Sequence, residues 1–510
     1  LYYYAVTLIS LEVVLWGLIR LLRTIFSADM VGGGARLLAE ALSLTLVGVP
    51  VFLLHWHLAQ RSTRQDPEEH SASLRAVFLY AALLATLVPV VQNGLALLNR
   101  VLLQSFGMHP LDALIGVGQT WSDNLVAILM NGVVAAYFYT TLHRDWKVIT
   151  PKDSFVGIRR LYRYIWVLYT LALMVVGVQQ VLRFVFYAPS SIFAHLFRAS
   201  FVNGLALLLI SVPLWVYTWK TAQDALVEPA EQGSNLRLAI LYILALGGVV
   251  TVLTFSGMVL DVLLRYALGE AMAWQDFINR VGGPFSLGVP LGGVWAYYGH
   301  WLNLELAGVV DSPRRAGLQR FYYSILSFIG LGATFIGLTL LLSFVVDTTF
   351  GELIWAETLR PRLAASLATL LVGLPLWWWT WYPLAVEASA AGDIGEHARR
   401  SVVRKAYLYL VLFSSVIASM VSAVALAILI FRTLLGDPPP SFAQNVGNAL
   451  QMLFLLGIIG SYHGQALRRD SKMAAHALAA KHALFPVLIY EPGDGAFAQA
   501  ILAAIQKQTP

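Results

Sequence analysis

The chain contains no cysteine. This absence excludes disulfides, thiolate metal sites and cysteine nucleophiles. Charged residues are also scarce, at 12% of the 510 residues, whereas a soluble domain carries roughly 25%. No Walker A, HExxH or GxSxG string occurs, and these are the short motifs that carry a recognisable mechanism. We therefore expect no enzyme activity, no metal and no cofactor.

Hydrophobic residues make up 58% of the chain. Apolar stretches of the ~20 residues needed to cross a bilayer recur throughout. This pattern predicts an all-α membrane protein with twelve transmembrane helices arranged as six helical hairpins. The predicted spans are 2–26, 36–58, 76–98, 121–142, 162–186, 199–219, 238–263, 280–303, 321–346, 363–383, 406–430 and 446–467.

Two strings alternate along the chain, each occurring three times. The first is GVPVFLLHW from Gly48, and it returns as SVPLWVYTW and GLPLWWWTW; the second is GVVAAYF from Gly132, and it returns as GGVWAYY and GIIGSYH. The residues that define the repeat are Pro50, Trp56, Pro213, Trp219, Pro375 and Trp381 in the first string and Tyr137, Tyr297 and Tyr462 in the second. A regular period of this kind indicates repeated supersecondary units. We predict tandem four-helix repeats at 1–156, 157–316 and 317–470.

The first helix of each repeat shows the same period. Tyr2, Tyr162 and Tyr322 are spaced by 160 residues, as are Gly17, Gly177 and Gly337. The RRLY run at Arg159–Tyr162, with this four-span period, resembles a bacterial multi-spanning membrane family of unknown function, family 5671. The resemblance covers residues 1–470 as three copies. It implies an all-helical membrane fold, no assigned activity and no catalytic residues to carry over.

The tail at 471–510 has a different character. KMAAHALAAKHALF predicts an amphipathic helix, residues 485–490 (FPVLIY) predict a strand, and EPGDG predicts a turn before a helix over 496–506. This order is the start of a small α/β segment. A lone strand would have unpaired edges, so we expect the tail to be truncated or to be completed by a partner.

Most Lys and Arg residues lie in the segments that link one hairpin to the next. The positive-inside rule places these connectors in the cytoplasm, and an even number of spans then places the C-terminus there too. The net charge of +6 thus reflects topology, and we expect no nucleic-acid partner. The predicted location is the bacterial cytoplasmic (inner) membrane.

Glu12 lies near the middle of the first span. A carboxylate there costs roughly 2.5–3.5 kcal/mol on insertion scales, so it marks a candidate proton or cation site. The alternative is a hydrogen-bonded carboxylate that faces another helix. The equivalent positions are Ala172 and Gly332, so the sequence does not support an ion site repeated three times.

Other polar residues complete the candidate intramembrane site. Asp261 and Arg265 are four residues apart, which favours an ion pair on one helix face. Gln92, Asn93 and Asn203 lie deeper, where they either hydrogen-bond between helices or line a polar path. In span eight, VGGPFSLGVPLGG at 281–293 predicts either a kink for close packing or a broken helix of the kind that forms transporter sites.

Aromatic and histidine side chains gather near span ends. Trp56, Trp219 and Trp381 are predicted to form part of an aromatic belt at the cytoplasmic interface. Histidine is a ligand of haem and pigments, but the histidines do not align between copies, which favours interfacial or hydrogen-bonded roles. Those near span ends are His55, His57, His143, His300 and His463.

Three functional hypotheses follow. The first is an integral membrane scaffold or accessory subunit that packs against membrane lipids and against partner proteins or further copies of the chain. The second is a transporter or channel for a small solute, in which Glu12, Gln92, Asn93, Asn203 and the run at 281–293 converge on one cavity. The third is a cofactor- or pigment-binding membrane subunit built on His55, His57, His300 or His463.

Overall fold

The structure is a computed structural model that describes residues 2–26, 34–65, 72–148, 153–187, 194–228, 231, 234–308, 312–351, 355–437, 439–483 and 495–508. Fourteen α-helices and no β-strand occur in these ranges. Their bounds are α1 Tyr2–Phe26, α2 Gly34–Gln65, α3 Ser73–Ser105, α4 Trp121–Val148, α5 Asp153–Tyr187, α6 Ala194–Asp224, α7 Asn235–Ala267, α8 Trp274–Gly308, α9 Ser312–Phe350, α10 Arg360–Ser389, α11 Gly392–Arg400, α12 Val402–Leu434, α13 Phe442–Ala483 and α14 Ala496–Gln508. The all-helical prediction is confirmed for this part of the chain.

Eleven of these helices are long and apolar enough to cross a membrane. They are α1–α7, α9, α10, α12 and α13. The exception among the twelve predicted spans is α8, which is 35 residues long but is diluted by glycine and by Pro284 and Pro290. The helix nevertheless runs without interruption from Trp274 to Gly308, so the breaker-rich run at 281–293 does not end it.

Contacts divide the chain into two compact units, residues 1–305 and 306–510. The first unit contains α1 to α7 and most of α8, and the second contains the last residues of α8 and α9 to α14. In the first unit α1 packs on α2, α3 on α4 and α5 on α6; in the second α9 packs on α10 and α12 on α13. These pairs are the hairpins that the alternating strings predict.

Small residues set the distance between the first two helices of each repeat. A Cβ at Gly17 would lie 2.7 Å from Thr45 Oγ1, and one at Gly337 would lie 2.8 Å from Leu370 Cγ. Gly177 has the same role, because a Cβ there would lie 3.0 Å from Leu208. The glycines that recur every 160 residues therefore allow close backbone approach between neighbouring helices, as small residues do in membrane interfaces.

The tail agrees with prediction only in part. The amphipathic stretch from Lys472 is continuous with α13, which extends to Ala483. The helix predicted over 496–506 is present as α14. The predicted strand at 485–490 and residues 491–494 of the turn after it lie outside the described residues.

A short helix in the connector between α10 and α12 was not predicted. This helix, α11, covers Gly392–Arg400. It carries Arg399, which is buried and donates from Nη1 to the carbonyl oxygens of Ala388 at 2.8 Å and Ala390 at 3.0 Å. The guanidinium thus satisfies carbonyls at the end of α10 that have no partner within the helix.

Candidate functional site

The two alternating strings meet through one hydrogen bond that recurs in every repeat. In each case the tryptophan of the Pro/Trp string donates its indole Nε1–H to the hydroxyl of the tyrosine in the Gly/Tyr string. The bonds are Trp56–Tyr137 at 2.7 Å, Trp219–Tyr297 at 2.7 Å and Trp381–Tyr462 at 2.9 Å. This bond joins the second helix of each repeat to the fourth and explains why both strings share one period.

A buried ion pair also recurs in every repeat. An arginine in the first turn of the third helix contacts a carboxylate eight residues after the motif tyrosine, on the fourth helix. The pairs are Arg75–Asp145 at 2.6 Å, Arg237–Glu305 at 2.5 Å and Arg404–Asp470 at 2.7 Å. The side chains of Arg75 and Asp145 are 1% and 3% exposed, so this pair is removed from solvent.

In the second and third repeats the arginine of the ion pair also contacts the tryptophan. The Arg404 guanidinium lies 5.1 Å from the ring centre of Trp381, and that of Arg237 lies 5.8 Å from Trp219. Both distances are within the range of a cation–π contact. The tryptophan, tyrosine, arginine and acid of each repeat are called the connector cluster below, because they lie toward the connector ends of their helices.

The tryptophans of the connector clusters do not form an interfacial belt. Trp56, Trp219 and Trp381 are only 7%, 5% and 3% exposed. That interpretation was wrong for these three residues, because their indole groups are buried against the third and fourth helices of the same repeat. Trp378 and Trp379 are exposed and remain consistent with a belt.

His463 lies at a buried packing position that is occupied by Phe138 in the first repeat and by Tyr298 in the second. It follows Tyr462, as Phe138 follows Tyr137 and Tyr298 follows Tyr297, and all three following residues are buried. Its Nδ1 lies 2.9 Å from the Ile459 carbonyl oxygen and its Nε2 lies 3.4 Å from the Tyr407 hydroxyl. Both ring nitrogens are thus engaged within the protein, which accounts for this histidine structurally.

A second arginine–carboxylate contact recurs in the last two repeats. Arg160 on α5 contacts Glu231 at 2.5 Å, and Arg320 on α9 contacts Glu387 at 2.6 Å. The two arginines are 160 residues apart, and each lies two residues before the recurring tyrosine of its first helix, Tyr162 or Tyr322. Neither acidic partner was predicted from the sequence.

Three of the predicted polar residues lie together. Glu12 on α1 and Gln92 and Asn93 on α3 line one cavity of about 330 Å³ within the first unit. We call it the Glu12 cavity. Its other lining residues are Leu15, Trp16, Ile19, Arg20, Arg23, Pro89, Gln119, Ala127 and Asn131. Sequence reasoning missed Asn131, although an amide within a span is the same signal that identified Asn93, and it missed Gln119, which lies in the loop before α4.

Asn203 lies elsewhere and has a structural role. Its Oδ1 accepts from Asn99 Nδ2 at 2.5 Å and from the backbone N–H of Leu114 at 3.0 Å, and its Nδ2 donates to the Asp112 carbonyl at 3.0 Å. These bonds fix α6 of the second repeat to α3 and to the loop before α4. This arrangement matches the expectation of hydrogen bonding between helices.

The remaining candidates are separate from the Glu12 cavity. Asp261 and Arg265 form the ion pair that their spacing predicts, at 2.8 Å. The run at 281–293 contributes Pro290 and Gly293 to a different cavity of about 290 Å³ between α5, α6 and α8, whose lining is almost entirely apolar. Among the described residues, no group of three or more His, Asp or Glu side chains is placed to hold a metal ion.

These features define the class of the protein: a multi-pass, all-helical membrane protein built from repeats that share an internal hydrogen bond and an internal ion pair. The family described as domain of unknown function DUF5671 matches residues 1–133, 160–293 and 320–458. The chain belongs to this family, and the predicted resemblance in three copies is confirmed. Comparison with curated proteins and with solved structures gave no match.

Proposed function

We propose that this protein is an integral membrane scaffold or accessory subunit, with no chemistry of its own. The observation that carries the proposal is that the polar side chains shared by all repeats bond to one another. In each connector cluster the tryptophan bonds to the tyrosine and the arginine to the carboxylate. Groups that the repeats preserve are therefore used for internal packing.

The outer surface of α12 supports a packing role. This helix leaves a continuous set of large apolar side chains exposed, among them Phe413, Val416, Met420, Val421 and Val424. In a membrane such a surface faces lipid or another transmembrane protein. We infer that membrane lipids and transmembrane proteins both pack on the body of this protein. The protein partners are either other proteins or further copies of the chain.

Site-specific photo-crosslinking tests the scaffold proposal. A photoreactive phenylalanine at Phe413 is expected to give a discrete protein adduct in native membranes. The same probe at Phe138, which is fully buried, is the matched control and should react only within the chain. Lipid adducts alone at Phe413 and at the other exposed α12 positions would contradict the proposal.

We further propose twelve spans, with the connectors and the C-terminus on the cytoplasmic side of a bacterial inner membrane. The distribution of Lys and Arg supports this topology. Because the chain has no cysteine, single cysteines report topology directly. Ser105→Cys, at the end of α3, should react with an impermeant maleimide in intact spheroplasts, whereas Lys220→Cys should react only after the membrane is opened.

A small-solute transporter is the second candidate function. The convergence of Glu12, Gln92 and Asn93 in one cavity favours it. A transporter exposes its binding site alternately to the two sides of the membrane. A cysteine at Asn131 should then react with impermeant reagents added to either side, whereas a static body would allow labelling from one side at most.

A further inference from the structure

The two arginines of the Glu12 cavity already have acidic partners. Arg20 Nη1 lies 3.3 Å from Glu40 Oε2. Arg23 Nε lies 3.8 Å from Asp123 Oδ1, and its Nε and Nη2 donate to the Asp123 carbonyl oxygen at 3.2 and 3.1 Å. Arg20 shares Glu40 with Arg36, whose Nε lies 3.2 Å from Glu40 Oε1, while Arg23 pairs with Asp123.

The carboxylate of Glu12 is not balanced in this way. Among the described residues no Lys, Arg or His nitrogen lies within 4.0 Å of it. Its Oε2 accepts a hydrogen bond from the indole of Trp16 at 3.2 Å, and its Oε1 is buried without a hydrogen-bond partner in the described part of the chain. A buried carboxylate oxygen with neither charge nor donor beside it is costly, and a ligand that supplies both would remove that cost.

Two amides of the cavity, Asn93 and Asn131, offer acceptor oxygens that no other group in the described ranges uses. Asn93 Nδ2 donates to the Pro89 carbonyl and Asn131 Nδ2 donates to the Ala127 carbonyl, each at 2.8 Å. A carbonyl oxygen can only accept, so the amide nitrogen must face it, and each Oδ1 is the atom left to receive a further bond. The indole N–H of Trp16 is likewise committed to Glu12.

We propose that the Glu12 cavity binds a small organic cation carrying N–H donors, of the primary ammonium or guanidinium class. Glu12 is its counter-ion, and Asn93 and Asn131 accept its N–H groups. The volume of about 330 Å³ suits a small ligand, since small-molecule sites span roughly 300–1,000 Å³.

This inference is independent of the scaffold proposal. It concerns a site in the first repeat alone, because the positions equivalent to Glu12 and Asn131 are Ala172 and Leu291 in the second repeat. The ammonium group has two sources, a free amine or the headgroup of an aminophospholipid, and the same carboxylate and amide oxygens would receive either.

Equilibrium binding of radiolabelled methylammonium to the full chain tests the proposal, with the protein in nanodiscs of phosphatidylcholine and phosphatidylglycerol. We expect saturable binding of one equivalent. Glu12→Gln should weaken it at least tenfold and Asn131→Leu several-fold. Asp261→Asn is the matched control, because it removes a carboxylate that pairs with Arg265 outside the cavity, and it should bind as the wild type does.

Two further arms sharpen the result. Tetramethylammonium has the charge but no N–H donor, so it should not displace methylammonium; equal displacement would overturn the role of the amide oxygens. Replacing phosphatidylcholine with phosphatidylethanolamine should lower methylammonium binding if the lipid headgroup is the natural occupant, and should leave binding unchanged if a free amine is. Absence of saturable binding in the wild type, or binding undiminished in a folded Glu12→Gln protein, would overturn the site itself.

Discussion

The indole of Trp219 donates a 2.7 Å hydrogen bond to the hydroxyl of Tyr297, across 78 residues of chain. The tryptophan is on α6 and the tyrosine on α8, so the bond ties the first hairpin of the repeat to the second. Trp56 with Tyr137 and Trp381 with Tyr462 repeat the arrangement. Each four-helix repeat is thus closed by the same bond.

Removing this bond should destabilise the protein modestly. Trp219→Phe and Tyr297→Phe each leave one polar group unpaired, and hydrogen bonds between membrane helices are worth about 0.6–2 kcal/mol. Unfolding of the single and double variants by SDS titration measures the coupling energy. We expect the double variant to be less destabilised than the sum of the two singles. Strict additivity would show that the hydroxyl and the indole do not interact in the folded protein.

Breaking the buried ion pair should cost much more. Arg75→Met removes the guanidinium that lies 2.6 Å from the Asp145 carboxylate, which is 3% exposed, and loss of one partner of a buried pair costs about 3–5 kcal/mol. The double variant Arg75→Met with Asp145→Leu should recover most of the loss, since two apolar side chains replace two buried charges. Thermal unfolding in nanodiscs is the measurement.

A matched exposed pair provides the control. Arg432 and Asp437 are 2.7 Å apart but 47% and 74% exposed. Exposed pairs contribute roughly 0–1 kcal/mol, so Arg432→Met should change stability little. A loss as large as that of Arg75→Met would indicate that burial does not govern the energetics of these pairs.

The helices and the repeat period were predictable because apolar run length and recurring residues are local signals. The contact partner of each recurring residue was not predictable. Three copies in a sequence show that Trp56 and Tyr137 recur, but they do not show that the two side chains are in contact. The acid of the connector cluster carried a usable signal, because it always lies eight residues after the motif tyrosine. It was missed because Asp alternates with Glu at that position.

In the Glu12 cavity, too, the individual residues were predictable from the sequence but their contacts were not. Glu12, Gln92 and Asn93 were identified by their depth in apolar spans, a local property. Their convergence depends on how α1, α3 and α4 are rotated against one another, which hydropathy does not encode. Asn203 has the same local signal, yet its bonds to Asn99 and to the loop before α4 place it outside the cavity.

Glycines that look alike in sequence should respond oppositely to substitution. A Cβ at Gly337 would lie 3.0 Å from the Leu370 backbone nitrogen and 2.8 Å from its Cγ, so Gly337→Ala should separate α9 from α10 and destabilise the protein by about 1–3 kcal/mol, as overpacking does. Gly332→Ala on the same helix meets no atom within 4 Å and should stabilise it by up to about 1 kcal/mol through helix propensity. SDS titration of both variants distinguishes packing from propensity.

Glu12→Gln should make the ligand-free protein more stable, which is unusual for a substitution within a membrane helix. The neutral amide retains an oxygen that can accept from Trp16, while the cost of a carboxylate in the span, roughly 2.5–3.5 kcal/mol on insertion scales, is removed. We expect a gain of about 1–3 kcal/mol in SDS titration, which is part of that cost, because the amide that replaces the carboxylate is itself polar. Asp261→Asn should show the reverse sign, because Arg265, 2.8 Å away, loses its partner. A destabilised Glu12→Gln protein would mean that the carboxylate is compensated by its surroundings, and the reason for assigning a cation to this cavity would disappear.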